Sequence, residues 1–137
     1  MSYLLDTNVL SELRRRDGNS AVKSWVASQR TPDLWISVVT VIEIERGILL
    51  KSRVDPAAGR SLTAWFEQKV LRGFDGRILP LDLASARRVA PLHVPNPAPP
   101  HDALIAGTAL AHGLTVATRN APDFARTGVA VVNPWTD

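Results

Sequence analysis

The chain has 137 residues, 45% of them hydrophobic, with no cysteine and a formal net charge of +3, which slightly favours an anionic partner such as nucleic acid. This length suits one domain spanning residues 1–137, and the lack of cysteine excludes thiolate zinc sites and disulfide frameworks. The N-terminal residues lack the order of a signal peptide and no apolar run approaches the length of a membrane span, so we expect a cytoplasmic protein with no membrane partner.

Strand and helix patterns alternate from the start of the chain. Residues 3–5 form a short apolar run that predicts a strand, and apolar positions at helical spacing follow it. A second helix is predicted over residues 21–29. Residues 34–39 are rich in β-branched and aromatic side chains, which predicts a second strand. This strand runs directly into residues 41–48, where the apolar positions again have helical spacing.

The middle of the chain continues the alternation. Apolar side chains at spacings of three and four predict a long helix over residues 57–71. Residues 77–81 predict a third strand, and Pro80 places it at a sheet edge because proline cannot donate a ladder hydrogen bond. Another helix is predicted over residues 84–92. The five prolines within residues 91–100 predict an extended, irregular loop.

The last third of the chain completes an α/β pattern. A helix is predicted over residues 101–112, ending before Gly113, and two further strands are predicted at 114–117 and 129–132. Strands that alternate with helices indicate a mostly parallel central sheet flanked by helices on both faces. The fold class is therefore predicted to be α/β.

Five carboxylate and amide residues fall where such a fold would gather them. Asp6 ends the first strand, Glu43 lies in the first turn of the helix after the second strand, and Asp102 opens a helix. Asn120 and Asp123 follow the fourth strand. Because parallel strands all enter their helices at one edge of the sheet, these residues are expected to share that edge, where ligands bind.

The helix that carries Asp102 supports a metal site at this edge. Ile105, Ala106 and Ala109 share the face of Asp102, and the small residues Ala106, Gly107 and Ala109 would let the helix approach the sheet closely. Several partly desolvated carboxylates would repel one another unless a cation neutralised them. Hard oxygen ligands without cysteine favour Mg²⁺, or Mn²⁺, over zinc.

Each of these residues also has a structural interpretation. Asp6 could cap the first helix, Asp102 could complement its helix dipole, and Glu43 could be a solvated helix residue. Asp123 could form a local turn. Taken singly, Asp6, Glu43 and Asp102 are structural more often than functional, and for Asp123 the two interpretations are about even. It is the conjunction of these residues at one edge that favours a site.

Three longer motifs resemble those of the PIN-domain ribonucleases, in particular the VapC toxins of toxin–antitoxin pairs and their FitB-like relatives. The motifs are LLDTNVLSEL at residues 4–13, VIEI at 41–44, and HDALIAGTALAHGLTVATRN at 101–120. The closing VVNPW at 131–135 is also similar. The resemblance covers essentially the whole chain and implies a PIN-like three-layer fold.

The resemblance implies a catalytic role for Asp6, Glu43 and Asp102. The fourth acidic position of the family is occupied here by Asn120, which can coordinate through its carbonyl oxygen but carries no charge. A second metal would then be held weakly by Asn120, or Asp123 would be recruited instead.

Further residues follow from the resemblance and from charge. Thr7 and Thr118 match polar positions that would orient the carboxylates. Four arginines are candidates to guide the RNA backbone: Arg14, Arg15, Arg16 and Arg119. The implied partners are an RNA substrate, a VapB-like antitoxin and a second copy in a homodimer, with operator DNA reached only through the antitoxin.

The resemblance implies an Mg²⁺-dependent endoribonuclease that is the toxin of such a pair, and two alternative functions remain open. A catalytically weak or silent PIN-fold module could bind an antitoxin and contribute to operator DNA binding, for which Asn120 is the supporting feature. A phosphatase could use Asp6 as a covalent nucleophile, but enzymes of the haloacid-dehalogenase type carry a second Asp two residues later, where this chain has Asn8.

Overall fold

A five-stranded, wholly parallel sheet forms the centre of the protein in the computed structural model, which describes residues 1–137. The strands lie in the order β3-β2-β1-β4-β5. Their bounds are β1 Tyr3–Leu5, β2 Leu34–Ser37, β3 Ile78–Leu79, β4 Thr115–Ala117 and β5 Val131–Val132. The predicted parallel α/β sheet is confirmed.

Six α-helices connect and cover these strands. They are α1 Thr7–Arg14, α2 Ser20–Ser28, α3 Val38–Val54, α4 Pro56–Trp65, α5 Leu83–Val89 and α6 Pro100–His112. Short 3₁₀ turns cover Thr31–Asp33, Ala90–His93 and Ala121–Thr127. No helix is both long and apolar enough to cross a membrane.

The central strands send alternate side chains into two separate cores, as the two-residue period of a strand requires. Leu5 and Ala117 face a core built with α1, α2, α3 and the segment after α4. Leu4 and Val116 face a second core built with α6 and the last 3₁₀ turn. The sheet is therefore covered on both faces, which confirms the predicted three layers.

The second strand is shorter than predicted, because Ser37 starts a helix. The Ser37 hydroxyl accepts a 2.9 Å hydrogen bond from the main-chain nitrogen of Val39, which caps the N-terminus of α3. Val38 and Val39 therefore lie in the helix despite their β-branched side chains. The last strand is also shorter, covering Val131–Val132 rather than residues 129–132.

Other boundaries differ in informative ways. The helix predicted over residues 57–71 begins at Pro56 and changes to π-helical geometry over Phe66–Leu71. The proline-rich segment contains a 3₁₀ turn, and Pro100 opens α6, where its missing N–H costs no hydrogen bond. The predictions of an edge position for β3 and of a helix end at Gly113, with φ 66°, are confirmed.

Gly107 packs against a helix and not against the sheet, contrary to the prediction. A Cβ at this position would lie 2.3 Å from Cγ2 of Val89 and 3.1 Å from the main-chain oxygen of Ser85, both on α5. Ala106 and Ala109 do face the sheet, within the second core. One helix therefore presents small residues to two different neighbours.

Candidate metal centre

A polar cleft of about 440 Å³ lies at the carboxyl edge of the sheet. We call it the acidic cleft, and ten residues line it: Asp6, Thr7, Asn8, Ser11, Glu12, Glu43, Asp102, Arg119, Asn120 and Trp135. They come from the ends of β1 and β4, from α1, α3 and α6, and from the C-terminal segment. The edge predicted from the strand pattern is therefore the edge that holds the cleft.

Asp6 is buried, with 6% of its surface exposed, and both of its carboxylate oxygens accept hydrogen bonds. Oδ1 accepts from the main-chain nitrogen of Thr7 at 2.8 Å, so Asp6 does cap α1. Oδ2 accepts from the Thr118 hydroxyl at 2.7 Å and from the Asn8 amide at 3.4 Å. Burial raises the pKa of Asp6, and these hydrogen bonds oppose the increase by favouring the charged form.

Glu43 points into the cleft and not to solvent. Its Oε1 accepts a 3.2 Å hydrogen bond from the Thr7 hydroxyl, and its Oε2 lies 3.8 Å from Nδ1 of His101. Burial and the charge of Asp6 raise the pKa of Glu43. Because α3 begins at Val38, Glu43 lies in its second turn and not in the predicted first turn.

Asp102 lies in the first turn of α6, and its pKa is raised well above the ordinary value of an aspartate. Burial, followed by the charges of Asp6, Asp123 and Glu43, raises the pKa of Asp102 to about 6. Neighbouring carboxylates are therefore close enough to disfavour one another's ionisation. A bound divalent cation would remove this repulsion, so the charge distribution fits a metal.

The donor set and the spacing together suit one metal better than others. All the candidate ligands are oxygen atoms, and no group of three His, Asp or Glu side chains is already gathered tightly enough to hold one ion. Mg²⁺ keeps several of its waters and is bound through one or two carboxylates, so it does not need such a ready-made triad. The residues therefore fit Mg²⁺ and do not fit a closed zinc site.

Asn120 and Asp123 occupy different positions relative to the cleft. Asn120 lines it, and its main-chain nitrogen donates a 3.0 Å hydrogen bond to the Thr118 hydroxyl. Asp123 is exposed and does not line the cleft, although its charge raises the pKa of both Asp6 and Asp102. Asn120 is therefore better placed than Asp123 to help hold a second metal ion, and Asp123 affects the carboxylates of the cleft through its negative charge.

The four arginines predicted to guide RNA are separated by the fold. Arg119 lines the acidic cleft, and Arg14 lines an adjoining groove that shares Thr7, Ser11 and Glu43 with it. Arg15 and Arg16 are exposed and line neither. Their main-chain oxygens accept hydrogen bonds from Lys23 Nζ.

Several residues of the site were not predicted. Asn8 bridges both sides of the cleft, because its amide nitrogen reaches Asp6 and Thr118 and its oxygen accepts from the main-chain nitrogen of Arg119 at 3.3 Å. The position of Asn8, two residues after Asp6 in the sequence, was a signal from which its place in the site could have been predicted. Buried Thr40, whose hydroxyl lies 3.1 Å from that of Thr7, had no such signal in the sequence.

Comparison with known proteins identifies the class to which this fold and cleft belong. Residues 3–130 match the PIN domain family, and the chain belongs to that family. The chain is 40% identical to toxin FitB of Neisseria gonorrhoeae, over 98% of this chain and 99% of FitB. It is 36% identical to VapC ribonuclease Y4jK of Sinorhizobium fredii, over 96% of each protein.

A solved structure agrees with these relatives. The structure of FitAB bound to an IR36 DNA fragment superimposes with a TM-score of 0.90 and 36% identity, covering 98% of this chain and 96% of the other. The resemblance to PIN-domain proteins of the VapC and FitB type is confirmed. Membership of this family leaves the phosphatase alternative without support.

Proposed function

We propose that this protein is the toxin of a toxin–antitoxin pair and acts as an Mg²⁺-dependent endoribonuclease. One observation carries the proposal: Asp6, Glu43 and Asp102 line one cleft, and burial and neighbouring acids raise the pKa of Asp102 to about 6. The names of the relatives, toxin FitB and VapC ribonuclease, support the same activity. The reaction is hydrolysis of an RNA phosphodiester bond.

Asp6 and Asp102 would hold the ion, with Glu43 beside them and Asn120 as the candidate for a second position. Mn²⁺ would be accepted by the same oxygen atoms. When bound, the ion lowers the pKa of a water molecule and neutralises charge on the phosphoryl oxygens. Asp123 contributes its negative charge from outside the cleft.

The surrounding residues orient these carboxylates. Thr118 and the main-chain nitrogen of Thr7 each donate to a different oxygen of Asp6, which sets the plane of its carboxylate. The Thr7 hydroxyl donates to Oε1 of Glu43, and Oε2 faces Nδ1 of His101 at 3.8 Å. Oε2 would orient the attacking water and accept its proton, and the raised pKa of Glu43 makes it a stronger base.

The proposed partners are an RNA substrate, a VapB-like antitoxin and a second copy of the chain in a homodimer. Operator DNA would be contacted through the antitoxin, and the structure of FitAB bound to an IR36 DNA fragment supports a complex that binds DNA. The competing function is a silent module that retains the fold and binds only the antitoxin, and it is favoured by the uncharged Asn120. Cleavage activity distinguishes the two.

The test is a cleavage assay on total RNA with Mg²⁺, Mn²⁺ or a chelator. We expect cleavage with either metal, none with chelator, and loss of about 1,000-fold or more in Asp6→Asn, since this change removes a ligand charge. Asp17→Asn is the matched control, because Asp17 is exposed and lies outside the cleft. Equal cleavage by wild type and Asp6→Asn in chelator would overturn the metal mechanism, and no cleavage by wild type would favour the silent module.

A further inference from the structure

Trp135 is the one apolar residue among the ten that line the acidic cleft. The guanidinium carbon of Arg119 lies 5.5 Å from the centre of its indole ring. Aromatic rings and guanidinium planes are the surfaces on which proteins stack unpaired nucleobases. An aromatic ring and a guanidinium beside a cluster of acids therefore suit a ligand that has both a base and a phosphate.

Parallel pairing of β4 and β5 brings the side chains of Arg119 and Trp135 together. Ala117 of β4 is opposite Val132 of β5, and both strands leave the sheet at the edge that holds the cleft. Arg119 follows β4 by two residues, and Trp135 follows β5 by three. Their proximity is thus a result of the strand register.

Both main chains are held in place by asparagine side chains. Asn8 accepts from the Arg119 nitrogen at 3.3 Å, and Asn133 donates to the Arg119 oxygen at 3.4 Å. Asn133 also accepts from the Trp135 nitrogen at 2.9 Å. Because Asn8 donates to Asp6 as well, the pair has a defined position relative to the carboxylates.

The Arg119 guanidinium makes no hydrogen bond or salt bridge within the chain, which distinguishes it from a structural arginine. Arg77 also lies over an aromatic ring, that of Phe74 at 5.0 Å, but its guanidinium donates to three main-chain oxygens. Arg119 is exposed, and it is the one cation among the residues lining a cleft that contains four acids. Its charge is available to a ligand.

We propose that the Arg119–Trp135 pair stacks a nucleobase of single-stranded RNA next to the phosphate to be cut, which makes both residues substrate-positioning residues. The proposal rests on the proposed ribonuclease function. Stacking tolerates any base, because each base has a π-face, so the pair determines where the strand lies and not which sequence is selected. The guanidinium also offsets the repulsion between the acids and the phosphate backbone.

The experiment separates base stacking from phosphate contact. Anisotropy titrations compare a short mixed-sequence oligoribonucleotide with an abasic strand of the same length. They use the Asp6→Asn background, which we expect not to cut the ligand. We expect about 10-fold tighter binding of the strand with bases. Trp135→Leu should abolish this preference and leave affinity for the abasic strand unchanged. Trp135→Phe, which keeps a ring, should retain most of the preference, and Arg119→Lys should lose part of it.

A chemically matched pair provides the control. Arg14 lies 5.9 Å from the centre of the Trp65 ring in the adjoining groove, and Trp65→Leu should leave the preference intact. Three results would each overturn the assignment. They are equal binding of the two strands before Trp135 is changed, an undiminished preference for the strand with bases in Trp135→Leu, and an equal loss of that preference in Trp65→Leu.

Failure of the stacking proposal and failure of the proposed function give different results. If wild type cuts RNA, Trp135→Leu should lower kcat/KM about 10-fold through KM, with kcat little changed. A base preference that depends on Trp135, in a wild-type protein that cuts nothing, would contradict the ribonuclease function and support the stacking site. Cleavage by the wild type with no preference for the strand with bases would support the ribonuclease function and contradict the stacking site.

Discussion

The hydroxyl of Thr118 donates a 2.7 Å hydrogen bond to Oδ2 of Asp6, a residue 112 positions earlier in the chain. Both side chains are buried, and they follow neighbouring strands of the sheet. This hydrogen bond lowers the pKa of Asp6 and so opposes the increase that burial causes. It therefore helps to keep the central carboxylate of the acidic cleft charged and fixed in orientation.

Thr118→Val should weaken the metal site with little change in shape. Loss of the donor raises the pKa of Asp6 further and frees its carboxylate to rotate, so we expect the Mg²⁺ concentration for half-maximal cleavage to rise about 10-fold. Thr108→Val is the matched control, because buried Thr108 donates only to the main-chain oxygen of Leu104. Equal Mg²⁺ dependence in the two variants would contradict the role of Thr118.

The metal-free protein should become less stable as the pH rises from about 5 to about 7.5. The pKa of Asp102 is about 6 in the folded protein and lower in the unfolded chain, so the folded state binds its proton more tightly. This contribution to the free energy of unfolding is complete below the unfolded pKa and is lost as the pH rises through about 6. The raised pKa values of Asp6 and Glu43 act in the same direction.

Thermal unfolding in chelator at several pH values measures this dependence. Asp102→Asn should flatten the fall in Tm, and Asp17→Asn should preserve it. Mg²⁺ should raise the Tm more at about pH 7.5 than at about pH 5, because the ion replaces the proton in neutralising the cluster. A Tm that rises steadily over this range in the metal-free wild type would contradict the raised pKa values of these acids.

Arg77 should contribute to stability without contributing to catalysis. Its guanidinium donates to the main-chain oxygens of Thr31, Leu34 and Gly73, which joins the start of β2 to the segment that precedes β3. Arg77→Ala should lower the free energy of unfolding by about 1–3 kcal/mol, and Arg77→Lys should recover little because lysine lacks the planar fork. Urea denaturation provides the measurement, with exposed Arg72→Ala as control and an unchanged kcat per folded molecule expected.

Gly107→Ala should destabilise the protein, because α5 and α6 are in contact there. The added Cβ would meet Cγ2 of Val89 at 2.3 Å and the main-chain oxygen of Ser85 at 3.1 Å. We expect a loss of about 1–3 kcal/mol. Gly47→Ala on α3 is the matched helical control, since nothing lies within 4 Å of its added Cβ. That variant should be neutral or slightly stabilising, and a similar loss in both would remove the packing explanation.

Much of the fold and the location of the site followed from local patterns. Apolar spacing distinguishes strand from helix, and the topology of a parallel sheet then places the residues after each strand at one edge. On this basis five residues were predicted to share one edge: Asp6, Glu43, Asp102, Asn120 and Asp123. The first four line one cleft, whereas Asp123 lies outside it. The strand predicted over residues 34–39 was too long, because a serine cap outweighed two β-branched residues.

The class of fold, the edge that carries the site and the oxygen-rich chemistry there were predictable from the sequence, since these depend on residue type and on spacing along the chain. Which side chains come into contact became known from the three-dimensional packing. Thr118 orients Asp6, Asn8 spans the cleft, Arg119 lies over Trp135, and Arg15 is left outside. Such contacts join residues distant in sequence through packing and strand register, and no local periodicity encodes them.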